Sequence, residues 1–244
     1  MILIENLTKE FGKTKAIDSL NLEIKDGEIF GFLGPNGAGK TTTLKIMAGL
    51  LKPTYGRVII NGIDIWKEPE KVKRIIGFVP DRPFVYGKLT GREFLNFVGD
   101  LYGVEEEREK RIEEMLELFN LSEWADELVE SYSHGMKQRL VMAGAFLHNP
   151  SVFIVDEPMI GLDPIGIRML KNLFRKMQEM GRTVFMSTHI LEIAEEVCTK
   201  IGIINNGKLI AEGTIDELRK KAKTDSPDLE TIFLKLTGKE IPIK

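Results

Sequence analysis

Gly34-Pro35-Asn36-Gly37-Ala38-Gly39-Lys40-Thr41 fits the pattern G-x-x-x-x-G-K-[ST] at every position, and it constrains the fold more than any other stretch of the chain. Ile29 to Leu33 before it reads as a short buried strand, and Thr42 to Ala48 after it reads as a helix closed by Gly49. Strand, glycine loop and helix in that order make an anion cradle: the glycines let successive N–H groups turn inward, and the helix start adds its partial positive charge. The matching guest is a phosphate chain. Lys40 is placed to reach β- and γ-phosphates, the Thr41 hydroxyl to face Mg²⁺, and Gly34 through Gly39 with Thr42 to wrap the phosphates. A glycine-rich turn that binds nothing is the plainer reading, and the complete pattern in its strand-to-helix context weighs against it.

Whole-chain properties remove several function classes. In 244 residues, 34 Lys+Arg stand against 37 Asp+Glu for a formal charge of -3, with no basic block of the kind that grips nucleic acid. DNA and RNA are therefore not expected partners. The one cysteine, Cys198, rules out an internal disulfide framework and suits a reducing compartment; it reads as a small apolar residue on a helix. The chain opens Met1-Ile2-Leu3-Ile4-Glu5 without a basic n-region, and no apolar run approaches the ~20 residues that span a bilayer, so no direct membrane span is expected.

Apolar and polar residues alternate through 1–30, and Asp26-Gly27, Asn61-Gly62 and Asn206-Gly207 each stand between such runs, predicting three hairpins and an antiparallel contribution beside the phosphate-loop sheet. Phe11 lies on an expected loop, where an aromatic can stack on adenine or simply pack into the core. Between Pro80 and Pro150 the texture turns helical. The capping box Thr90-Gly91-Arg92-Glu93 opens a helix with Phe94, Phe97, Val98 and Leu101 on its apolar side. A second helix spans Glu105 to Leu121 with its charge-rich start solvated, and a third runs from Tyr132-Ser133-His134-Gly135 to about His148. The core resumes with the apolar strand Val152 to Val155, a helix after Asp163-Pro164, and the strand Thr183 to Met186, taken as an edge strand. There follow the turn Ser187-Thr188-His189, a helix from Ile190, a capping box at Thr214 to Glu217, and a tail broken at Pro227 with Leu229, Ile232, Phe233 and Leu236 at helical spacing. No internal repeat or low-complexity segment is present.

The strand Val152 to Val155 ends in Asp156-Glu157. Two acids after a strand often mark only a turn. In a chain with a phosphate loop they make the second half of a nucleoside triphosphatase: Asp156 holds Mg²⁺ through water, and Glu157 orients or deprotonates the water that attacks the γ-phosphate. The class is α/β: a P-loop NTPase with a RecA-like core of mostly parallel sheet and helices, an antiparallel β subdomain, and an inserted all-helical subdomain. Its divisions fall at 1–80 (antiparallel β and phosphate-loop half), 81–149 (helical insert), 150–219 (second half of the core) and 220–244 (short helical tail).

The motifs occur in the order found in the ATP-binding cassette (ABC) ATPases, which the chain resembles over nearly its whole length. Tyr132-Ser133-His134-Gly135-Met136-Lys137-Gln138-Arg139-Leu140 is similar to the family signature, usually Leu-Ser-Gly-Gly-Gln followed by a basic segment. The resemblance implies cofactors ATP and Mg²⁺ and a head-to-tail pair in which each ATP lies between the phosphate loop of one subunit and the signature of the other. It further implies Phe11 at the adenine, Ser133 and Gly135 at the opposite γ-phosphate, Asp163 in the D-loop that crosses the interface, and His189 as the switch histidine beside Glu157 and Lys40 in catalysis. Ser133 and Asp163 also read as ordinary helix N-caps, and both roles can hold together. Two departures stand out. His134 and Met136 replace the usual Gly and Gln of the signature. Asp81 replaces the Q-loop glutamine after Val79-Pro80, and a carboxylate there can ligand metal or accept from water but cannot donate.

These variants, with the tail Leu229 to Gly238, look like the separate ATPase subunits of ABC-2 type exporters of bacteria and archaea. That resemblance implies a peripheral protein at the cytoplasmic face of the cell membrane, a permease on another chain, and a second ATPase subunit, the same or different. Coupling to the permease falls to Arg82-Pro83-Phe84-Val85-Tyr86, whose aromatics are otherwise expected to be buried in the helical insert. The rivals are a soluble ABC-type switch on ribosome or nucleic acid, disfavoured by the lack of a second cassette or long coiled coil, and an importer ATPase, disfavoured by Asp81 and by the lack of a large C-terminal regulatory domain.

Overall fold

The structure is a computed structural model and describes residues 1–226 and 228–238. In chain order the strands are β1 (Ile2–Phe11), β2 (Thr14–Ile24), β3 (Ile29–Leu33), β4 (Tyr55–Ile60), β5 (Ile63–Asp64), β6 (Ile76–Val79), β7 (Val152–Asp156), β8 (Thr183–Thr188), β9 (Lys200–Asn205) and β10 (Lys208–Gly213). The helices are α1 (Lys40–Met47), α2 (Pro69–Ile75), α3 (Gly91–Tyr102), α4 (Arg108–Leu118), α5 (His134–Leu147), α6 (Pro164–Glu179), α7 (Leu191–Val197), α8 (Ile215–Lys221) and α9 (Leu229–Thr237). The break expected at Pro227 lies outside the described residues.

Two sheets carry the chain: a four-stranded one in the order β2-β1-β4-β5 and a six-stranded one in the order β10-β9-β3-β8-β7-β6. The first is antiparallel; the second is parallel from β9 to β6, with β10 antiparallel at its edge. β3, β7 and β8 are buried at every residue, as their continuous apolar runs require of strands covered on both faces. Their alternate residues feed two cores. Phe153, Val155, Val184 and Met186 pack toward the helical insert, α6 and α7, whereas Val152, Ile154, Phe30, Phe32 and Phe185 pack toward α1 and the antiparallel sheet. Phe30 and Phe185 stack there with ring centroids 5.5 Å apart.

Asn61-Gly62 and Asn206-Gly207 are the expected hairpins, each with positive φ at both residues, as a two-residue turn between twisted strands demands. Asp26-Gly27 is not a hairpin. β2 pairs with β1 across Gly12-Lys13, and β3 goes into the other sheet, because its five apolar residues need burial on both faces. Gly27, at φ 73°, turns the chain from one sheet to the other. β8 is also not an edge strand: it lies between β3 and β7, so His189 follows a central strand. On α3 the capping box forms as expected and Gly103 closes the helix at φ 67°, but the buried side is Phe94 and Leu95. Phe97 and Leu101 face outward at 37% and 67% exposure. Helices α3, α4 and α5 form the insert, hung between the adjacent parallel strands β6 and β7.

Candidate active site

The parallel register brings the C-terminal ends of β3, β7 and β8 together: Leu33 lies beside Thr188, and Asp156 beside Ser187. Ligands of open parallel sheets sit at these ends. A cleft of about 360 Å³ opens there, lined by Pro35, Asn36, Gly37, Ala38, Gly39, Lys40, Thr41 and Thr42 from the loop and α1, with Ala16, Asp81, Glu157, Ile160 and His189 around them. α1 begins at Lys40, two residues earlier than expected, so Lys40, Thr41 and Thr42 carry the free N–H groups of its first turn. Gly37 and Gly39 have φ 78° and 110°. A Cβ on Gly39 would stand 2.6 Å from the Ala16 carbonyl oxygen, and one on Gly34 would strike the carbonyl oxygen of Ile204, so both positions need glycine for space.

Lys40 is 7% exposed. Its Nζ donates to the carbonyl oxygens of Gly34 at 2.7 Å and Pro35 at 3.4 Å, and lies 3.8 Å from a Glu157 oxygen. Burial lowers its pKa, while the charges of Glu157 and Asp156 oppose that shift. Asp156 is 2% exposed and accepts from the hydroxyl of Ser187, with the Thr41 hydroxyl nearby. Burial pushes its carboxyl up, the two hydroxyls pull it down, and the charges of Asp81 and Glu157 push it up again.

Glu157 is held from several sides. Its backbone sits at φ 50°, a strained value for a residue with a Cβ, and its N–H donates to the Ser187 carbonyl at 3.1 Å and the Ser187 Oγ at 3.2 Å. One carboxylate oxygen accepts from the His189 N–H at 3.2 Å and lies 3.0 Å from His189 Nδ1. The carboxylate is thereby aimed into the cleft while the His189 ring stays half-exposed.

The donor set fits Mg²⁺ in the manner typical of that ion. Among the described residues no three His, Cys, Asp or Glu side chains gather into a group able to cage a metal alone. What the cleft offers is the Thr41 hydroxyl, a buried carboxylate at Asp156, and Asp81 and Glu157 nearby, with one lysine against these acids. Magnesium is held by one or two carboxylates together with substrate phosphates and water, which is what this arrangement leaves room for.

The other expected residues lie apart. Phe11 ends β1 outside the cleft lining; it is 51% exposed, so it is not a core residue, and Lys9 Nζ sits 5.0 Å over its ring. Ser133 and Asp163 cap α5 and α6, accepting from the N–H groups of Met136 at 3.2 Å and Gly166 at 2.8 Å. Both are exposed, and neither they nor Gly135 lines the cleft. Sequence reasoning passed over Ser187, Ala16 and Ile160. The sequence showed Ser187 only as part of the turn before His189, and its place opposite Asp156 comes from the register of β7 and β8.

The chain is similar to known proteins in sequence and in fold. The ABC transporter family model matches residues 17–160. Bacitracin transport ATP-binding protein BcrA of Bacillus licheniformis is 42% identical over 222 residues, 91% of this chain and 72% of that protein. Linearmycin resistance ATP-binding protein LnrL of Bacillus subtilis (strain 168) is 38% identical over 227 residues, 93% of this chain and 73% of its own length. Among solved structures, an ATP binding subunit of an ABC transporter superposes with TM-score 0.92 at 32% identity, covering 97% of this chain and 99% of the other. The ATP-binding cassette MJ0796, a dimer in a post-hydrolysis state bound to ADP and Pi, superposes with TM-score 0.79 at 31% identity, covering 88% of this chain and 98% of its own. With a P-loop fold, a phosphate cleft and relatives of this closeness, the chain belongs to the ABC transporter family as an ATP-binding subunit, and it is an ATPase.

Proposed function

We propose that this subunit pairs head to tail with a second ATPase subunit around two Mg-ATP and drives a separate membrane permease of the ABC-2 exporter type from the cytoplasmic face of the membrane. The observation that carries the pairing is that the signature stands away from the chain's own cleft: Ser133 and Asp163 are exposed and absent from its lining. The neighbouring Ile160 and Ile165 present apolar side chains at 38% and 69% exposure, a surface suited to cover by a facing copy. The MJ0796 dimer is a related precedent. Export is supported by the relatives named for bacitracin transport and linearmycin resistance. No helix among the described residues is long and apolar enough to cross a membrane, which fits a permease carried elsewhere.

In the reaction Lys40 exchanges its hold on the Gly34 carbonyl for phosphate oxygens, and the N–H groups of the loop and the first turn of α1 bind the rest of the phosphate chain. Thr41 and Asp156 would hold Mg²⁺, with Asp81 as a further metal or water contact, and the ion would supply neutralisation of phosphate charge. Glu157 orients the attacking water and takes its proton, while His189 keeps that carboxylate aimed and reaches the γ-phosphate with its ring. Phe11 stacks on adenine beyond the cleft. Ser133 and Gly135 present the N-terminus of α5 to the partner's γ-phosphate, and Asp163 crosses to the facing subunit.

The permease contact is the row Phe84, Tyr86 and Phe97. Their rings meet edge to face at 5.7 Å and 5.4 Å, with Phe84 76% and Tyr86 48% exposed beside Leu101. These aromatics are not buried in the insert. A solvent-facing apolar row next to Asp81 suits transmission of cleft closure to a membrane partner. The test is Glu157→Gln: hydrolysis should fall severely while Mg-ATP traps a dimer detectable by analytical ultracentrifugation. Rapid turnover by this variant removes Glu157 from its role, and a monomer at saturating Mg-ATP removes the pairing.

A further inference from the structure

The first turn of α5 and the loop from Glu157 to Asp163 meet through two glycines. A Cβ on Gly135 would lie 2.8 Å from the Gly161 carbonyl oxygen, and one on Gly161 would lie 2.5 Å from Cδ2 and 3.1 Å from Nε2 of His134. The His134 ring therefore rests directly on the Gly161 backbone. Most ABC signatures carry glycine where this chain has His134, so the ring adds a contact that a glycine could not make. The loop beneath it is stiff: the Ile160 N–H donates to the Glu157 carbonyl at 3.2 Å, the Leu162 N–H to the Met159 carbonyl at 3.4 Å, and Gly161 and Glu157 both hold positive φ.

We propose that His134 is a positioning residue that clasps the start of α5 to the Glu157–Asp163 loop, so that phosphate bound at Ser133 sets the orientation of Glu157 in the same chain. The proposal rests on the head-to-tail pairing, in which Ser133 serves the partner's nucleotide and Glu157 its own. His134 then links the two ATP sites. The path is short: Ser133 precedes His134, His134 sits on Gly161, and the compact turn from Glu157 to Leu162 carries a displacement of Gly161 to the carboxylate that meets His189.

A double-mutant cycle on Gly161→Ala and His134→Gly tests it. Alanine at Gly161 is strained by its φ whatever surrounds it, and the cycle subtracts that part. In the chain without added nucleotide, the His134 ring signals in an NMR spectrum should shift on Gly161→Ala; unchanged signals overturn the clasp. In the ATPase assay Gly161→Ala should lower kcat about tenfold, and adding His134→Gly should recover about threefold of that. His134→Gly alone should lower the Hill coefficient for ATP toward one without a matching change in Tm, a readout that mere packing would not move. Fold-losses that multiply, or an unchanged Hill coefficient in His134→Gly, overturn the proposal even if Gly161→Ala fails to fold. The Glu157→Gln chain separates the two failures. If it stays monomeric with Mg-ATP, the pairing has failed and the link between sites goes with it; if it dimerises while the cycle is multiplicative, the clasp has failed.

Discussion

Ser187→Ala isolates the support behind Asp156, the carboxylate proposed to hold Mg²⁺. Ser187 is fully buried on β8, opposite Asp156 in the parallel register; its Oγ donates to Asp156 and accepts from the Glu157 N–H at 3.2 Å. Removing the hydroxyl leaves Glu157 with the Ser187 carbonyl at 3.1 Å, so its N–H is not orphaned. Asp156 loses one of the two donors that pull its carboxyl down against burial. A hydrogen bond to a buried charged group contributes about 1.5–3 kcal/mol, which is the expected loss in unfolding free energy. Function should suffer separately, because partners that orient a metal-binding carboxylate typically contribute about 10–100-fold in metal affinity or activity. The assay is ATPase rate against Mg²⁺ concentration at fixed, saturating ATP, beside fluorescent-ATP binding in EDTA and urea unfolding. The Mg²⁺ half-saturation point should rise by about tenfold or more while metal-free nucleotide binding holds. Ser187→Thr keeps the hydroxyl and should keep the Mg²⁺ dependence even where its extra methyl lowers stability. A Mg²⁺ curve for Ser187→Ala that superposes on the wild-type curve would refute the assignment, whatever the stability change.

Other expectations follow from side chains away from this centre. Burial pushes the Cys198 thiol up to about 12, so Ellman's reagent at pH 8 should label it far more slowly in the folded chain than in urea. His148, stacked on Tyr102 at 3.8 Å and 2.9 Å from the Ile76 carbonyl oxygen, has its pKa lowered mainly by burial, with the Ile76 contact opposing. Because the unfolded chain binds that proton first, the contribution is complete above about pH 6.5 and is lost as pH falls below it; His148→Gln should flatten that acid-side loss in urea titrations. Gln138→Leu removes an amide with no partner in a fully buried position and should raise unfolding free energy by about 1 kcal/mol in thermal and urea melts, while ATPase activity falls. Phe84→Ser should leave stability within about 0.5 kcal/mol, as expected of a 76% exposed ring, and should reduce recovery of a membrane partner in mild detergent.

The elements that could be read from the sequence were those whose physics is local. The phosphate loop, the capping boxes at Thr90 and Thr214, the caps Ser133 and Asp163, and the turns Asn61-Gly62 and Asn206-Gly207 depend on residues a few positions apart, and each forms as its residue types dictate. Partner choice across the chain was not local. Asp26-Gly27 has the composition of a hairpin turn, yet β3 leaves β2 to pair along both edges with β8 and β9, more than 150 residues further on, in a sheet covered on both faces. Helical spacing on α3 matched Phe97 and Leu101 as well as Phe94, and only the placement of α5 decides which side is covered. Ser187 was missed for the same reason, since its meaning comes from lying opposite Asp156 in the register.

Topology also explains why the signature lies apart from the cleft. Glycine loop, acids and histidine converge because they follow β3, β7 and β8, whose C-terminal ends adjoin in one parallel sheet. Ser133 follows no strand of that sheet. It begins α5 within an insert that leaves the core after β6 and re-enters at β7, the two strands farthest from β9 and β10. The insert's helices take their burial from the outer face of the sheet and from one another, which turns the N-terminus of α5 toward the loop holding Gly161 and leaves Ser133 exposed. An exposed helix N-terminus is a ready anion site, which suits the proposed approach of a phosphate from a facing subunit. On the proposed head-to-tail pairing the phosphate loop and the signature are two halves of one site, and the contact between His134 and Gly161, with the Glu157–Asp163 turn beneath it, is a short path that joins them on the same chain.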